Sequence, residues 1–456
     1  MNDNQLDKEP IEELAEAEEA PVSDVSEPEA QGETDAAGPE HAAGPIVTEP
    51  ESVVNSDEPK PENRKGRKAL KIILLTVLFI ALAAAAFFAA TGVKYVMLES
   101  EVNSTEPESR EGQFYFNSLS YRDQLLYDNV LTAARAVDER SEVLPHSYDI
   151  DTFSKVVKYV MADNPDLFYV DFDGLVINHS RHKTYVTMDY RATGGELEKM
   201  RAEYDAAIEN CLRSTELMND LNREVAVHDA IIDRCVYAVG EADRLHNTAY
   251  GALVLGKAYC DGYAYAAKAM FDRLGIQSAI VYGSVNEAEH VWNLVNIGGR
   301  FTHLDIMWDD ADLSYGDGLR FHGYFNLGEN EILRDHSYDY DELLPEAESG
   351  RDYYTMMGLR AATAEETEEI IYDSLIAAKG EKLPYIELYC DETNDNELLA
   401  PHFKNAVTRA NAELGEEVFM SAFRVFPASD RSNAITIQIF YTSSAMPEDT
   451  TEENGN

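Results

Sequence analysis

Basic residues are scarce in this 456-residue chain: 37 Lys and Arg stand against 85 Asp and Glu, a formal charge of −48. That balance argues against nucleic acid or an anionic membrane surface as the main partner. Cysteine is scarcer still, at four residues, too few and too widely spaced for the disulfide framework of a small secreted domain. No spacing of Cys and His suits a metal, and Gly251 and Gly256 lack the Lys-Ser/Thr that a phosphate-binding loop needs. There is no internal repeat. What is present is a chain long enough for two domains or more.

Charge is also unevenly placed. Residues 1–60 hold 18 acidic and two basic side chains among many Pro, Ala, Gly and Ser. The segment 1–63 therefore reads as a disordered acidic tail, which buries too little apolar surface to offset the entropy of ordering. Arg64, Lys65, Arg67, Lys68 and Lys71 then precede an uncharged run over 72–93. At about 1.5 Å per residue, such a run spans a ~30 Å hydrocarbon core. Five cations on one flank and Lys94 on the other predict a single-pass anchor, with the N-terminus in the cytoplasm and residues 95–456 extracytoplasmic. The lipid bilayer is thus one expected partner. The acidic tail is a candidate for docking a cytoplasmic partner, although its composition fits a solvating segment equally well.

The outer part divides by texture. Residues 95–112 read as a polar stalk, 113–240 as helices around a hairpin, 241–345 as the segment that carries chemistry, 350–445 as a small α+β accessory domain, and 446–456 as a disordered tail. Within 113–240, helices are expected over 120–137, 149–162, 194–214 and 220–239, with a hairpin or small sheet over 166–192. The second helix should stop at Asn164-Pro165, because a residue before proline avoids the helical region. Cys211 and Cys235 fall on the apolar stripes of the last two helices, and Cys390 ends a strand over 384–390. Each reads as a packed thiol, and a Cys211–Cys235 bridge has nothing to support it. In the accessory segment, Gly380 is expected to close a helix, followed by a helix over 397–414 and strands over 416–426 and 433–441.

Cys260 is different. In "AYGALVLGKAYCDGYAYAAKAMFDRLGI" (249–276), Tyr263, Ala264, Ala267, Met270, Phe271 and Leu274 recur at helical spacing, and Gly275 caps the end. Cys260 then opens the helix, where unpaired N–H groups and the dipole stabilise an anion and so favour a thiolate. A merely buried cysteine at a helix start fits this segment as well. The next segment decides between them. "QSAIVYGSV" is a strand, and "HVWNLVNIGGRFTHLDIMWDD" is a pair of strands around Gly298-Gly299. A two-residue turn sets 297 opposite 300 and makes His290 and Asp305 diagonal neighbours, ~7–8 Å apart between backbones. A three-residue turn would put them on opposite faces.

Nucleophilic acyl chemistry needs a thiol, a base and a carboxylate that orients the base. Other polar residues are weaker candidates. His303 shares a face with Asp305 but has no evident partner. His228 sits on the apolar side of a helix, where a hydrogen-bonded core histidine is the usual case. Asp309 and Asp310 could take a cation, but adjacent strand carboxylates point opposite ways and are usually solvated. The Cys260 N–H is one natural oxyanion donor. Asn247, Tyr250 and Tyr259 are candidates for a second, and Trp292 for a substrate contact.

The Cys260 block, "HVWNLV" and "FTHLDIMWDD" resemble the three blocks of the transglutaminase-like cysteine-peptidase superfamily. "VHDAIIDRCVY" (227–237) and "YFNL" (324–327) also look like its membrane-anchored bacterial members. The resemblance covers roughly 245–330. It implies an α+β, papain-like core, in which the helix bearing the Cys packs on an antiparallel sheet bearing His and Asp, after a single N-terminal transmembrane helix. Carried over by position, the triad is Cys260, His290 and Asp305, with no cofactor and no metal. Two departures, Arg300-Phe301 for the usual aromatic pair and Met307 for the usual Thr, touch the substrate side. Members include peptidases, amidases, cross-linkers and inactive binding proteins. The expected function is an extracytoplasmic thiol enzyme acting on peptide or protein amides, with hydrolysis favoured over cross-linking. The alternative is a non-catalytic surface binding module on the same scaffold. The acidic outer part, 29 basic and 66 acidic residues over 95–456, favours neutral or basic substrates.

Overall fold

The computed structural model describes residues 64–240, 243–310, 319–338, 344–381, 383–391, 396–427 and 433–442. The tails 1–63 and 446–456 lie outside the described residues. The chain splits into two compact units, Met1–Leu98 and Glu99–Asn456.

Helix α1, Arg64–Ser104, carries the uncharged run. Its stretch Lys68–Ser104 is long and apolar enough to cross a membrane, and its apolar side chains are exposed. The helix runs on into the segment read as a stalk, since no proline follows until Pro107.

In the second unit, α2 (Phe114–Asn117) leads to α3 (Tyr121–Ala136) and α4 (Ile150–Asp163). Ser120 and Asp149 cap α3 and α4 by accepting the N–H of Asp123 and Thr152. Helix α4 stops before Pro165, as the sequence predicts. The expected hairpin is shorter than 166–192: β1 (Val176–Ser180) pairs with β2 (Lys183–Thr187). Single helical turns at Pro165–Leu167 and Phe172–Gly174 occupy the start of that segment.

Helix α5 covers Gly194–Leu212, and α6 covers Asp220–Ile232. Here the expectation of a helix to 239 is corrected. Past Ile232 the chain leaves the helix and forms β3 (Val236–Tyr237), which pairs in parallel with β4 (Lys257–Ala258). Cys235 is buried just beyond the helix, not on its stripe. All four cysteines are free thiols, so Cys211 and Cys235 are unbridged.

After β4 comes α7, Cys260–Leu274, with Gly275 in the left-handed conformation at its end. It packs on β5 (Ser278–Val285) and β6 (Ala288–Ile297). These belong to an antiparallel sheet of order β8-β7-β6-β5-β9, where β7 is Arg300–Leu304, β8 Phe325–Leu327 and β9 His336–Ser337. The short helix α8 (Ile306–Asp309) follows β7. Gly298 and Gly299, at φ 65° and 83°, form the two-residue turn, and Ile297 faces Arg300 as its length requires. Asn293 Nδ2 donates to the Ala264 carbonyl at 3.0 Å, fastening the sheet to α7. This is the mixed helix-and-sheet core that the resemblance implies.

Two short helices, α9 (Glu329–Ile332) and α10 (Tyr353–Met357), lead to the C-terminal part. There α11 (Ala364–Glu381) and α12 (Asn396–Leu414) pack on a sheet of order β10-β11-β13-β12. Its strands are β10 (Arg360–Ala361), β11 (Tyr385–Cys390), β12 (Phe419–Pro427) and β13 (Ala434–Tyr441). Ile371, Leu375, Phe403, Val407, Ile435 and Ile437 form a core of its own. Gly380 does not close α11. The helix runs to Glu381, and the Leu383 N–H reaches back to the Ala378 carbonyl at 3.0 Å.

Candidate active site

The backbone around Cys260 is tightly packed. Gly256 takes φ 73° and turns the chain from a π-helical turn, Gly251–Leu255, into β4. At Gly262 a Cβ would lie 2.5 Å from Ala258 Cβ and 2.6 Å from the His246 carbonyl oxygen. The glycine behind the thiol therefore lets the preceding loop press against the start of α7. Cys260 is the first helical residue and half-buried. Its N–H has no partner within its own helix and lies in the positive end of the helix dipole.

His290 lies on β6, with Cys260 near enough to its ring to help raise its pKa. Its Nε2 is 2.5 Å from Asp305 Oδ2, so Nδ1 is the ring nitrogen left for the thiol. Asp305 sits just past β7 as the N-cap of α8, where its Oδ1 accepts the Trp308 N–H at 3.2 Å. One carboxylate thus caps a helix and fixes the imidazole. The structure brings Cys260, His290 and Asp305 together.

It also adds a residue that the sequence reading missed. His336 Nε2 lies 3.0 Å from the same Asp305 Oδ2, and its Nδ1 lies 2.7 Å from Asp335 Oδ1. Asp335 in turn accepts the Tyr324 hydroxyl at 2.8 Å. Strand β9 can approach because position 283 is glycine: a Cβ there would lie 2.3 Å from the Ser337 carbonyl oxygen and 2.6 Å from Trp292. A two-residue strand has no periodicity to read, so only the histidine in "LRDHSYD" could have served as a signal.

The electrostatics follow from burial and neighbours. Burial alone would pull His290 down, but the Asp305 charge and hydrogen bond, with help from Cys260, lift it to about 9. His336 is likewise pulled down by burial and raised by Asp305 and Asp335 to about 9. Burial pushes Asp305 up, yet the two imidazoles hold it well below the usual carboxylate range. Asp261, beside the thiol, is pushed by burial up to about 6. At neutral pH the site therefore holds protonated imidazoles around an ionised Asp305.

Other predicted residues are placed elsewhere. Trp292 stacks on His290, with ring centroids 5.8 Å apart, but it is fully buried, so it backs the imidazole and is not the substrate contact the sequence suggested. His303 is not an alternative base. It accepts the Trp292 Nε1–H at 3.0 Å and faces Glu329 at 3.4 Å, and burial lowers its pKa. The Tyr250 phenol donates to Glu203 at 2.8 Å, and its ring stacks on Phe168, which removes it as an oxyanion donor. Asn247 is exposed at the end of the turn Arg244–Asn247. Tyr259 caps α7 and packs edge-on against Tyr237 and His246. Asp309 is fully buried against His228 and the Tyr324 N–H, and Asp310 accepts the Tyr263 hydroxyl. Neither is the solvated carboxylate that the sequence suggested.

Residues 212–306, which include Cys260, His290 and Asp305, match the model of the Transglutaminase-like superfamily. No curated protein matches the chain. Among solved structures, one described as "Crystal structure of a TGase" is similar at 15% identity, covering 34% of this chain and 49% of that one, with a TM-score of 0.23. Another, described as "a Putative Cysteine Protease from Cytophaga hutchinsonii", is similar at 11% identity, covering 29% and 61%, with a TM-score of 0.21. The chain thus spans about half to three-fifths of those two proteins. By the family match over 212–306, this chain carries a transglutaminase-like domain.

Proposed function

We propose that the chain is a membrane-tethered thiol enzyme that transfers acyl groups from peptide or protein amides, chiefly to water. One observation carries this reading: His290 is held by Asp305 through one nitrogen and stands beside Cys260 at the start of α7. In the reaction, the thiolate attacks the amide carbonyl and the oxyanion forms near the Cys260 N–H. As the C–N bond breaks, His290 gives its proton to the leaving amine, and a thioester remains on Cys260. Neutral His290 then takes a proton from water, whose oxygen attacks the thioester and releases the acid and the thiolate. Asp305 keeps the ring oriented and the imidazolium stable throughout. His336, which shares Asp305 Oδ2, acts as a positioning residue.

Helix α1 tethers the enzyme to the bilayer, with its basic flank in the cytoplasm and the second unit outside. Hydrolysis is taken as the main course, since nothing among the described residues marks a site for a second amine substrate. The test incubates the detergent-solubilised full chain with glutaminyl and unmodified peptide amides, with and without a primary amine. Mass spectrometry should detect hydrolysed product and a Cys260 thioester, both absent in Cys260→Ala. Product dominated by amine adducts would reassign the acceptor, and product that persists in Cys260→Ala would overturn the reading.

A further inference from the structure

A second histidine cluster lies outside the thiol site. Helix α6 supplies His228 and Asp229, the segment after residue 319 supplies Arg320 and His322, α8 supplies Asp309, and β11 supplies Glu387. Asp229 Oδ1 lies 3.0 Å from His228 Nδ1 and 3.1 Å from His322 Nε2. The outward nitrogen of each ring faces a buried carboxylate: His228 Nε2 is 3.3 Å from Asp309 Oδ2, and His322 Nδ1 is 2.9 Å from Glu387 Oε2. Those carboxylates are themselves held. Asp309 accepts the Tyr324 N–H at 2.9 Å, and Glu387 accepts the Tyr354 hydroxyl. The remaining oxygen of Asp229 accepts from Arg320 at 2.9 Å.

We propose that His228 Nδ1, His322 Nε2 and Asp229 Oδ1 bind one divalent cation of the zinc class. The three atoms converge within 4.8 Å of one another. Ligands about 2.0 Å from a tetrahedral ion stand roughly 3.3 Å apart, close to the 3.0 and 3.1 Å separations. Two imidazoles and one carboxylate suit zinc better than calcium or magnesium, which take oxygen ligands. A carboxylate behind each ring binds its outward N–H, fixes the tautomer and turns the other lone pair inward, as metal-ligating histidines require. The rings have little freedom to turn away, since Tyr353 stacks on His322 at 3.9 Å. Asp229 keeps 24% of its side chain exposed, which leaves an entry route and a fourth position for water.

The trio His290, Asp305 and His336 also converges within 4.8 Å but differs in two respects. Its His290–Asp305 N–O separation of 2.5 Å is shorter than a ligand–ligand edge, and His290 faces a thiol where a metal ligand would face a carboxylate. The ligand pair His228 and His322 stands 94 residues apart in the chain, which is why no spacing announced it. With Glu387 on the accessory sheet behind it, the ion would tie that sheet to α6.

The test uses the full chain in detergent in a Cys260→Ser background, so that the catalytic thiolate cannot take the ion. After chelator treatment and desalting, the protein is titrated with Zn²⁺ and separately with Co²⁺. One tightly held equivalent, a cobalt d–d band and a higher melting temperature are expected. Glu387→Gln should weaken binding 10- to 100-fold, and His322→Ala should abolish it. Should His322→Ala not fold, the Glu387→Gln affinity and the parent stoichiometry still decide. Failure of the parent to take up an equivalent overturns the proposal. So does unchanged affinity in Glu387→Gln, or loss of the ion in His336→Gln with retention in Glu387→Gln.

Discussion

Two regions of this molecule use the same part, a carboxylate oxygen between two imidazoles. At Asp305 the partners are His290 and His336; at Asp229 they are His228 and His322. What differs is what the rings face on their other side. His290 faces a thiol at a helix start, so its proton has somewhere to go, and the arrangement suits catalysis. His228 and His322 are backed by Asp309 and Glu387, so both are fixed outward and present their remaining nitrogens to a common point. The chemistry of a His–Asp–His set is decided by the fourth group.

That comparison breaks first at the thiol. Cys260→Ala should abolish thioester formation and turnover, measured by intact mass and peptide release. Asp305→Asn should cost about 10³-fold in kcat/KM, because the ring loses the acceptor that fixes its tautomer. Loss of less than tenfold would show that Asp305 serves α8 rather than the reaction.

His336 gives the sharper test. His290 sits at about 9, so turnover that needs its proton should fall as pH rises through 9. His336→Gln removes a cation from Asp305 and leaves His290 the stronger claim on that carboxylate. We expect about a tenfold fall in kcat/KM at pH 7 and an alkaline limb displaced upward by about one unit. A fall with an unmoved limb would mean that His336 is only a packing residue. Stability carries the same signature. His336 is raised from 6.5 to about 9, so its contribution is complete below pH 6.5 and lost as pH rises through 9. Wild-type melting temperature should fall across that window more steeply than that of His336→Gln.

Glu224 on α6 titrates with no imidazole beside it. Its buried Oε2 accepts from Asn326 at 3.0 Å, and burial pushes its pKa up to about 8. Folding then favours the protonated acid, and the cost grows as pH rises from 4.5 towards 8. Glu224→Gln keeps the acceptor for Asn326 and should stabilise the chain by about 3 kcal/mol at pH 7, from 1.36 kcal/mol per unit. At pH 4 it should do nothing, a contrast that thermal melts in two buffers would show. The smallest effect is on substrate charge. The acidic second unit should favour basic over acidic model peptides by a few-fold at low salt, and the preference should vanish at high salt.

Much of the site geometry could be read from the sequence for local reasons. Gly298-Gly299 fixes the turn length, turn length fixes parity, and parity puts His290 and Asp305 on one face. Gly256 and the apolar repeat from Tyr263 place Cys260 at a helix start. Long-range pairing was not legible. Helix α6 ends early because β3 pairs with β4 some 20 residues on, a contact with no local mark. His336 reaches Asp305 through a two-residue edge strand made possible by Gly283. Tyr250 looked available in sequence, but Glu203, 47 residues away, takes its hydroxyl.

The most direct measurement is the rate of thiol labelling by iodoacetamide on the full chain, read by intact mass from pH 6 to 9, in wild type and His290→Ala. Burial raises the thiol of Cys211 and pushes Cys235 up to about 12, so neither should compete. The account predicts one fast label at Cys260 that slows markedly in His290→Ala. Slow labelling at several cysteines, indifferent to His290, would contradict it.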